Sequence, residues 1–546
     1  MGKLSQGLPR LLRHVSPGRC WPRNRRRRAG DAIVHGVGSI IYFIRSQPSL
    51  ESAQMASNIS RDHSITRSQN ASPAPSAGSA PDKQESIPAA YTNDKVEDSS
   101  KLKTFLSILR KFVGISDLAS VRFSLPAQLL EPTPNLEYWN YLDRPETFVA
   151  IGDSDDALGR MLEVLRFWFT KDLKYVKGKP CKPYNSVLGE FFRCNWEVED
   201  SVKPVSEESR KESTQQHIDT TGKQIRISYL TEQTSHHPPV SAFYVDCPVK
   251  GISARGFDQL SAKFTGTSIR VIPGSHNQGI FITIEPRDNE EYQLTHPVAH
   301  LSGIIRGSLS VTVADTCYIT CPKTKQKTIL EYMEEGWLGK AQNRLKGVIF
   351  TYDPDNDSKT KIKDVPEKDI LATLQGCWHE EIFYTPAGSK VRPSVSWPSP
   401  SNTNSLQDSL PLIDLRPLFP SPKLVPPLPQ QQPNESQRFW AAVTTAIKEK
   451  KYQEATRLKV ELEEKQREKA KERVDNDNKF QPVFFTNVIE ENGRPELSEE
   501  GKKALQLLQE SRWDLEGVEL GGSKSDGKDE GKADGKEADA GIAAAS

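Results

Sequence analysis

The sequence predicts an α+β fold, a large antiparallel sheet with helices before and after it. Three observations carry this. Between about 190 and 385, short segments rich in Val, Ile, Tyr, Phe and Thr alternate apolar and polar residues, with Gly, Pro, Asn and Asp between them. Ahead of them, apolar residues recur at spacings of three and four in two segments. Behind them, Glu435–Arg473 returns to a helical pattern.

Taken in order, residues 1–100 are expected to be disordered. The stretch ASPAPSAGSAPDKQES (71–86) cannot bury enough apolar surface to offset its ordering entropy. Leu102, Phe105, Leu106, Leu109, Phe112 and Val113 then form one face of an amphipathic helix that Gly114 ends, with Lys103, Arg110 and Lys111 off the stripe. A second helix covers Leu158–Lys171. The strands follow as QIRISYL (224–230), VSAFYVD (240–246), AKFTG (262–266), GIFITIE (279–285), SLSVTVAD (308–315) and KGVIFTYD (346–353). So many short strands make a sheet large enough to curl into a barrel or sandwich. A polar insert at about 388–409 interrupts the ordered part. Residues 486–520 read as a short, partly helical extension, and 521–546 as a disordered Gly/Lys/Asp tail.

Composition narrows the function. Seventy-three basic residues against 72 acidic leave a net charge of +1, so no whole-chain field for nucleic acid exists. The seven Cys include no CxxC pair, which argues against a zinc ribbon or a disulfide framework and fits a reducing cytosol. No apolar run reaches the roughly 18–20 residues that span a bilayer. Ala32–Ile44, behind the basic run Arg23 through Arg28, mimics a targeting segment, and Met55 offers an alternative start. Gln6 stands where a myristoylation signal needs Ser or Thr. Glu190-Phe191-Phe192 begins like a tethering motif but lies inside the expected core.

Three constellations could carry chemistry. The most distinctive is Glu232-Gln233-Thr234-Ser235-His236-His237-Pro238-Pro239. In an extended segment neighbouring side chains point to opposite faces, so adjacent His rarely ligate one metal. The prolines stiffen the chain and hold the imidazoles in place, where they can donate to a phosphate. A strand start with structurally bonded His is the plain alternative. The second is Lys182-Pro183-Tyr184-Asn185-Ser186-Val187-Leu188-Gly189-Glu190, a turn entering an apolar strand, in which Lys182 and Asn185 could hold an anion. The third is Lys459, Glu463 and Arg467, spaced by four along one helix face, with Glu463 able to support both cations. Most helices charged nearly all round are simply solvated. HExxH is absent, and no nucleophile elbow surrounds Ser235.

These residues resemble a known family. EQTSHHPPVSAF is similar to the signature of the oxysterol-binding-protein-related family, usually EQVSHHPP, with Thr234 in place of Val. KPYNSVLGE resembles its KPxNPxLGE, with Ser186 in place of Pro. ESQRFW (435–440) and RLKVELEEKQRE resemble its closing helices, and the resemblance covers roughly 101–485.

The resemblance implies a lipid-exchange domain: a near-complete antiparallel β-barrel around a hydrophobic tunnel, with an N-terminal lid at about 103–118 bearing Phe105, Leu106, Leu109 and Phe112. It implies a phosphatidylinositol 4-phosphate headgroup site formed by Lys182, Asn185, His236, His237, Lys459, Glu463 and Arg467. A second lipid, sterol in many members and phosphatidylserine in others, would share the tunnel. The implied protein is a cytoplasmic monomer peripheral at membranes or their contact sites, without metal, cofactor or bond chemistry. A lipid-dependent scaffold is the competing reading.

Overall fold

The computed structural model describes residues 127, 130–177, 183–205, 224–265, 268–302, 310–333, 342–388 and 409–520. All belong to the unit His35–Ser546. Residues 1–100, the lid residues Phe105, Leu106, Leu109 and Phe112, Lys182, most of the 388–409 insert and the 521–546 tail lie outside the described residues.

Four helices come first: α1 Asn135–Tyr138, α2 Pro145–Val149, α3 Ala157–Thr170 and α4 Leu173–Lys177. Fifteen strands follow: β1 Phe191–Glu199, β2 Gln224–His236, β3 Pro239–Cys247, β4 Ile252–Asp258, β5 Leu260–Phe264, β6 Ile269–Pro273, β7 Ile280–Ile284, β8 Glu290–Leu294, β9 Val298–Ser302, β10 Ser310–Cys321, β11 Gln326–Tyr332, β12 Arg344–Thr351, β13 Ile370–Cys377, β14 Glu381–Pro386 and β15 Leu410–Asp414. The chain then forms α5 Ser436–Phe439, α6 Ala441–Lys448, α7 Tyr452–Asp475 and α8 Glu499–Gln509.

The strands make one antiparallel sheet in the order β1-β2-β3-β4-β7-β8-β10-β11-β12-β13-β14-β15, and β5, β6 and β9 branch from β10. Nearly every neighbour on this path is also a sequence neighbour, as hairpin connections dictate. Strand β10 serves two partners on one side. Its first half pairs with β9, and Ile319 and Thr320 pair with β8. Asp315, at φ 74°, sits where the change begins. A short polar side chain tolerates that left-handed conformation.

Alternation along β1–β4 sends residues to two different cores. Phe192, Cys194, Tyr229, Phe243 and Ala254 join a cluster with α3, whereas Phe191, Leu230, Val240, Ala242 and Phe257 join one with Leu505 and Leu508 of α8. The segment 486–520 therefore covers the outer face of the sheet rather than trailing from it.

Helix α3 is buried on every side from Gly159 to Thr170. A helix buried all round is an interior helix, so its Arg160, Glu163 and Arg166 must find partners inside the protein. Asp156 caps it, accepting from the Gly159 N–H at 2.6 Å. Arg160 forks onto both Glu290 oxygens on β8 at 2.8 Å, and Trp168 Nε1 donates to the Tyr332 hydroxyl on β11 at 3.0 Å. The same helix touches β15. One helix reaches strands so far apart in the sheet order only if the sheet curves around it.

The sheet is not closed: among the described residues no strand pair joins β15 to β1. The chain between them takes that place. Leu424 exchanges both backbone hydrogen bonds with Asn195 at 2.8 and 2.9 Å, and the Phe191 N–H donates to the Asn434 carbonyl at 3.2 Å. The outer edge of β1 is thus covered, as edge strands require.

The helical pattern expected over Glu435–Arg473 resolves into three helices. Lys450 adopts φ 62°, the Lys451 N–H reaches back to the Ala446 carbonyl at 2.8 Å, and α6 stops. This is the left-handed helix ending that Gly usually marks. With Lys in that position the sequence carries no stop signal.

Candidate functional site

The His pair lies at the tip of the β2–β3 hairpin. His236 pairs with Pro239 across the turn, and the register shifts between Gln233 and Ser235. That bulge and the turn break the strict alternation expected of an extended segment. The two imidazoles are not on opposite faces; their ring centroids stand 4.7 Å apart, edge to face. Both side chains are exposed. Protein nevertheless crowds His236 from the hairpin side, and this desolvation, then the neighbouring His237, lowers its pKa to about 4. The charges of Glu463 and Arg473, both on α7, also act on this ring. Residues more than two hundred positions apart in sequence thus meet at the hairpin tip.

The turn bearing Asn185 is tied directly to the hairpin. The Gly189 N–H donates to the Gln233 carbonyl at 3.0 Å, and the Gln233 N–H to the Glu190 carbonyl at 2.8 Å. Gly189 sits at φ 77° with the Phe480 ring 3.3 Å from where a β-carbon would stand, so both conformation and space select Gly. Tyr184 stacks on Trp440 at 4.9 Å and its hydroxyl lies 3.0 Å from that of Thr444. Asn185 itself is half-buried.

The ESQRFW segment holds this corner together. Glu190 is fully buried and accepts from Ser436 Oγ at 2.7 Å, the Val187 N–H at 3.0 Å and Trp440 Nε1 at 3.1 Å. Burial pushes its carboxyl up to about 7. Glu435 pairs with the fully buried Arg193 of β1 at 3.1 Å. Glu232, the first residue of the HHPP motif, accepts from the Val483 and Phe484 N–H groups at 2.9 Å each, and burial raises it to about 7. It anchors the chain that follows α7.

One pH prediction arises here. Glu190 titrates near 4.5 when unfolded and near 7 when folded. The folded state therefore holds its proton more tightly, so this contribution is complete below 4.5 and is lost as pH rises to 7. Glu190→Gln removes the titration. Its stability relative to the wild type is expected to improve from pH 4.5 to 7, by up to about 3 kcal/mol, and to be flat above. Urea unfolding of both proteins across that range measures the difference; a pH-independent difference refutes the assignment.

Helix α7 supplies the cations. Lys459 is 4% exposed, and its Nζ lies 2.7 Å from Glu463 Oε1. Arg467 Nη2 is 3.6 Å from Glu463 Oε2 and is largely exposed. Glu463 bridges the two cations, as the spacing of four predicts. Thus the turn bearing Asn185 is bonded to the hairpin of His236 and His237, Lys459 pairs with Glu463 whose charge acts on His236, Arg467 stands exposed beside Glu463, and Lys182 is outside the described residues. Arg473, which the motifs did not single out, also acts electrostatically on His236. Its signal was available, since Lys459, Gln466 and Arg473 recur every seven residues. Among the described residues no group of three or more His, Cys, Asp or Glu could hold a metal ion, and no helix is long and apolar enough to cross a membrane.

Fold and site together define an antiparallel-sheet protein with a cationic corner built on a hairpin tip and the face of a long helix. The chain belongs to the oxysterol-binding protein family, whose model, described as "Oxysterol-binding protein", matches residues 104–515. Oxysterol-binding protein-like protein 1 of Schizosaccharomyces pombe is 41% identical over 489 residues, covering 75% of this chain and 91% of its own. Human oxysterol-binding protein-related protein 8 is 30% identical over 399 residues, covering 71% of this chain but only 37% of its own. Among solved structures, the Osh1 ORD domain in complex with cholesterol is similar with a TM-score of 0.52 and 20% identity, covering 75% of this chain and 88% of that one. The same domain in complex with ergosterol matches equally.

Proposed function

We propose that this protein binds phosphatidylinositol 4-phosphate and a second lipid, most simply a sterol, alternately in one tunnel and exchanges them between membranes. One observation carries the reading. The turn bearing Asn185 is hydrogen-bonded to the hairpin of the twin imidazoles, and Glu463, on the Lys459 helix, acts on the His236 ring, which supports one shared headgroup site. A phosphomonoester carries about −1.5 to −2 charge near neutral pH. Imidazole, amide and ammonium donors around a single point are what charge-assisted hydrogen bonding to it needs. Glu463 orients the cations, and the inositol hydroxyls can donate to it.

A tunnel is supported from the other side of the sheet. Asp258 projects to the α3 side and accepts from the Tyr141 hydroxyl at 2.6 Å. His296 stacks on Tyr141 at 5.4 Å and lies 5.9 Å from Trp168. Desolvation drives Asp258 up to about 7 and His296 down to about 3. Yet both side chains keep accessible surface. Groups desolvated by protein yet still accessible are what the wall of a lipid tunnel would carry. The curved sheet with the 415–435 segment across its gap would wall it as a near-complete barrel, and 103–118 would close it. The solved Osh1 domain holding cholesterol fits a sterol as the second lipid. Each buried CH₂ is worth roughly 0.8 kcal/mol, so a lipid leaves its bilayer only for an equally apolar enclosure. No covalent step is involved, and the protein would act peripherally at membrane surfaces in the cytoplasm.

Purified full-length protein is expected to move phosphatidylinositol 4-phosphate from donor to acceptor liposomes and sterol in the opposite direction. Each flux should accelerate the other, and both lipids should be recovered intact. Binding without transfer would favour a lipid-dependent scaffold, and consumption of lipid would indicate a hydrolase.

A further inference from the structure

We infer that Arg473 is a further headgroup-binding residue of this site, its guanidinium gripping the phosphomonoester together with His236; the inference rests on the phosphoinositide reading above. Each residue turns an α-helix by about 100°. Relative to Lys459, Glu463 is rotated by about 40° and Arg467 by about 80° in the same sense. Side-chain exposure follows this drift, at 5%, 21% and 66% for Lys459, Glu463 and Arg467. Gln466 and Arg473 are rotated only about 20° and 40° the other way. They are the two residues of the 464–475 stretch that are half-buried, while Lys471, Glu472, Val474 and Asp475 are exposed. Arg473 thus stays on the inward stripe that Arg467 leaves.

The end of α7 is also pinned beside the hairpin. The Asn478 N–H donates to the Arg473 carbonyl at 2.8 Å with Asp477 at φ 48°, which ends the helix just past Asp475. The chain then lands on the motifs themselves. Phe480 lies against Gly189, and Val483 and Phe484 donate to Glu232, four residues before His236. The charge of Arg473 is felt at the His236 imidazole. Among the described residues its guanidinium has no carboxylate or hydrogen-bond partner, unlike Lys459. A half-buried guanidinium whose charge acts on His236 leaves an anion to be supplied, and its planar fork matches phosphate oxygens.

Full-length Arg473→Gln is tested for extraction of phosphatidylinositol 4-phosphate from phosphatidylcholine vesicles, next to wild type, Arg473→Lys and His236→Ala/His237→Ala. Apparent affinity is expected to fall about tenfold or more in Arg473→Gln and to recover partly in Arg473→Lys, with sterol extraction unchanged. Wild-type affinity in Arg473→Gln, alongside loss in the His variant, overturns the role of Arg473 alone. Wild-type affinity in both variants, or no extraction by the wild type, overturns the phosphoinositide reading and this inference with it. A third arm offers inorganic phosphate with vesicles of unphosphorylated phosphatidylinositol. Arg473-dependent binding of free phosphate without lipid extraction would overturn the assignment to a lipid head. Parallel loss of sterol extraction in Arg473→Gln and Arg473→Lys would overturn it in favour of a structural role.

Discussion

Protein carrying His236→Ala and His237→Ala together is expected to extract phosphatidylinositol 4-phosphate at least about a hundredfold less well, while sterol extraction is retained. Two hydrogen bonds to a charged phosphate are removed, each worth about 1.5–3 kcal/mol. Stability should hardly change, because both rings are exposed at the tip and the ladder below them is carried by the backbone. Extraction of the two lipids from separate liposome preparations is the measurement. Undiminished phosphoinositide extraction would remove the imidazoles from the site.

The second large effect is on stability. Arg193→Ala is expected to cost about 3–5 kcal/mol, because it strands a buried carboxylate. Arg193 and Glu435 are 0% and 1% exposed, and Arg193 also donates to the Trp513 carbonyl at 2.8 Å. One guanidinium therefore joins β1, the segment before α5 and the chain after α8. Urea unfolding gives the answer directly. A loss below about 1 kcal/mol would mean that the pair contributes nothing that water cannot replace. Because Glu435 and its neighbour Ser436 frame the corner that carries Asn185, reduced phosphoinositide extraction should accompany the loss.

Local pattern made much of this legible. Alternation marked the strands, though it understated β2, which continues beyond 224–230 to His236, where the HHPP run begins. The helix expected over Leu158–Lys171 is Ala157–Thr170, one residue away at each end. What pattern could not express is that both faces of that helix are interior. Its Arg160 and Glu163 are charged yet buried, and Arg160 is satisfied by Glu290, 130 positions away. The break at Lys450 was invisible for a different reason. Left-handed helix endings are identified by Gly, and here tertiary packing of α6 against α7 imposes one on Lys.

The site divides in the same way. Sequence alone determined the residue types and their grouping into three short motifs, because each motif is contiguous or helically periodic and its chemistry is written in the side chains. Tertiary structure alone decided that a bulged hairpin sets both imidazoles together, that Glu190 and Glu232 are buried anchors, and that Lys459, Gln466 and Arg473 stay on the less exposed stripe of α7. These are relations between elements, set by sheet curvature, burial and helix rotation, and no single stretch of chain contains them.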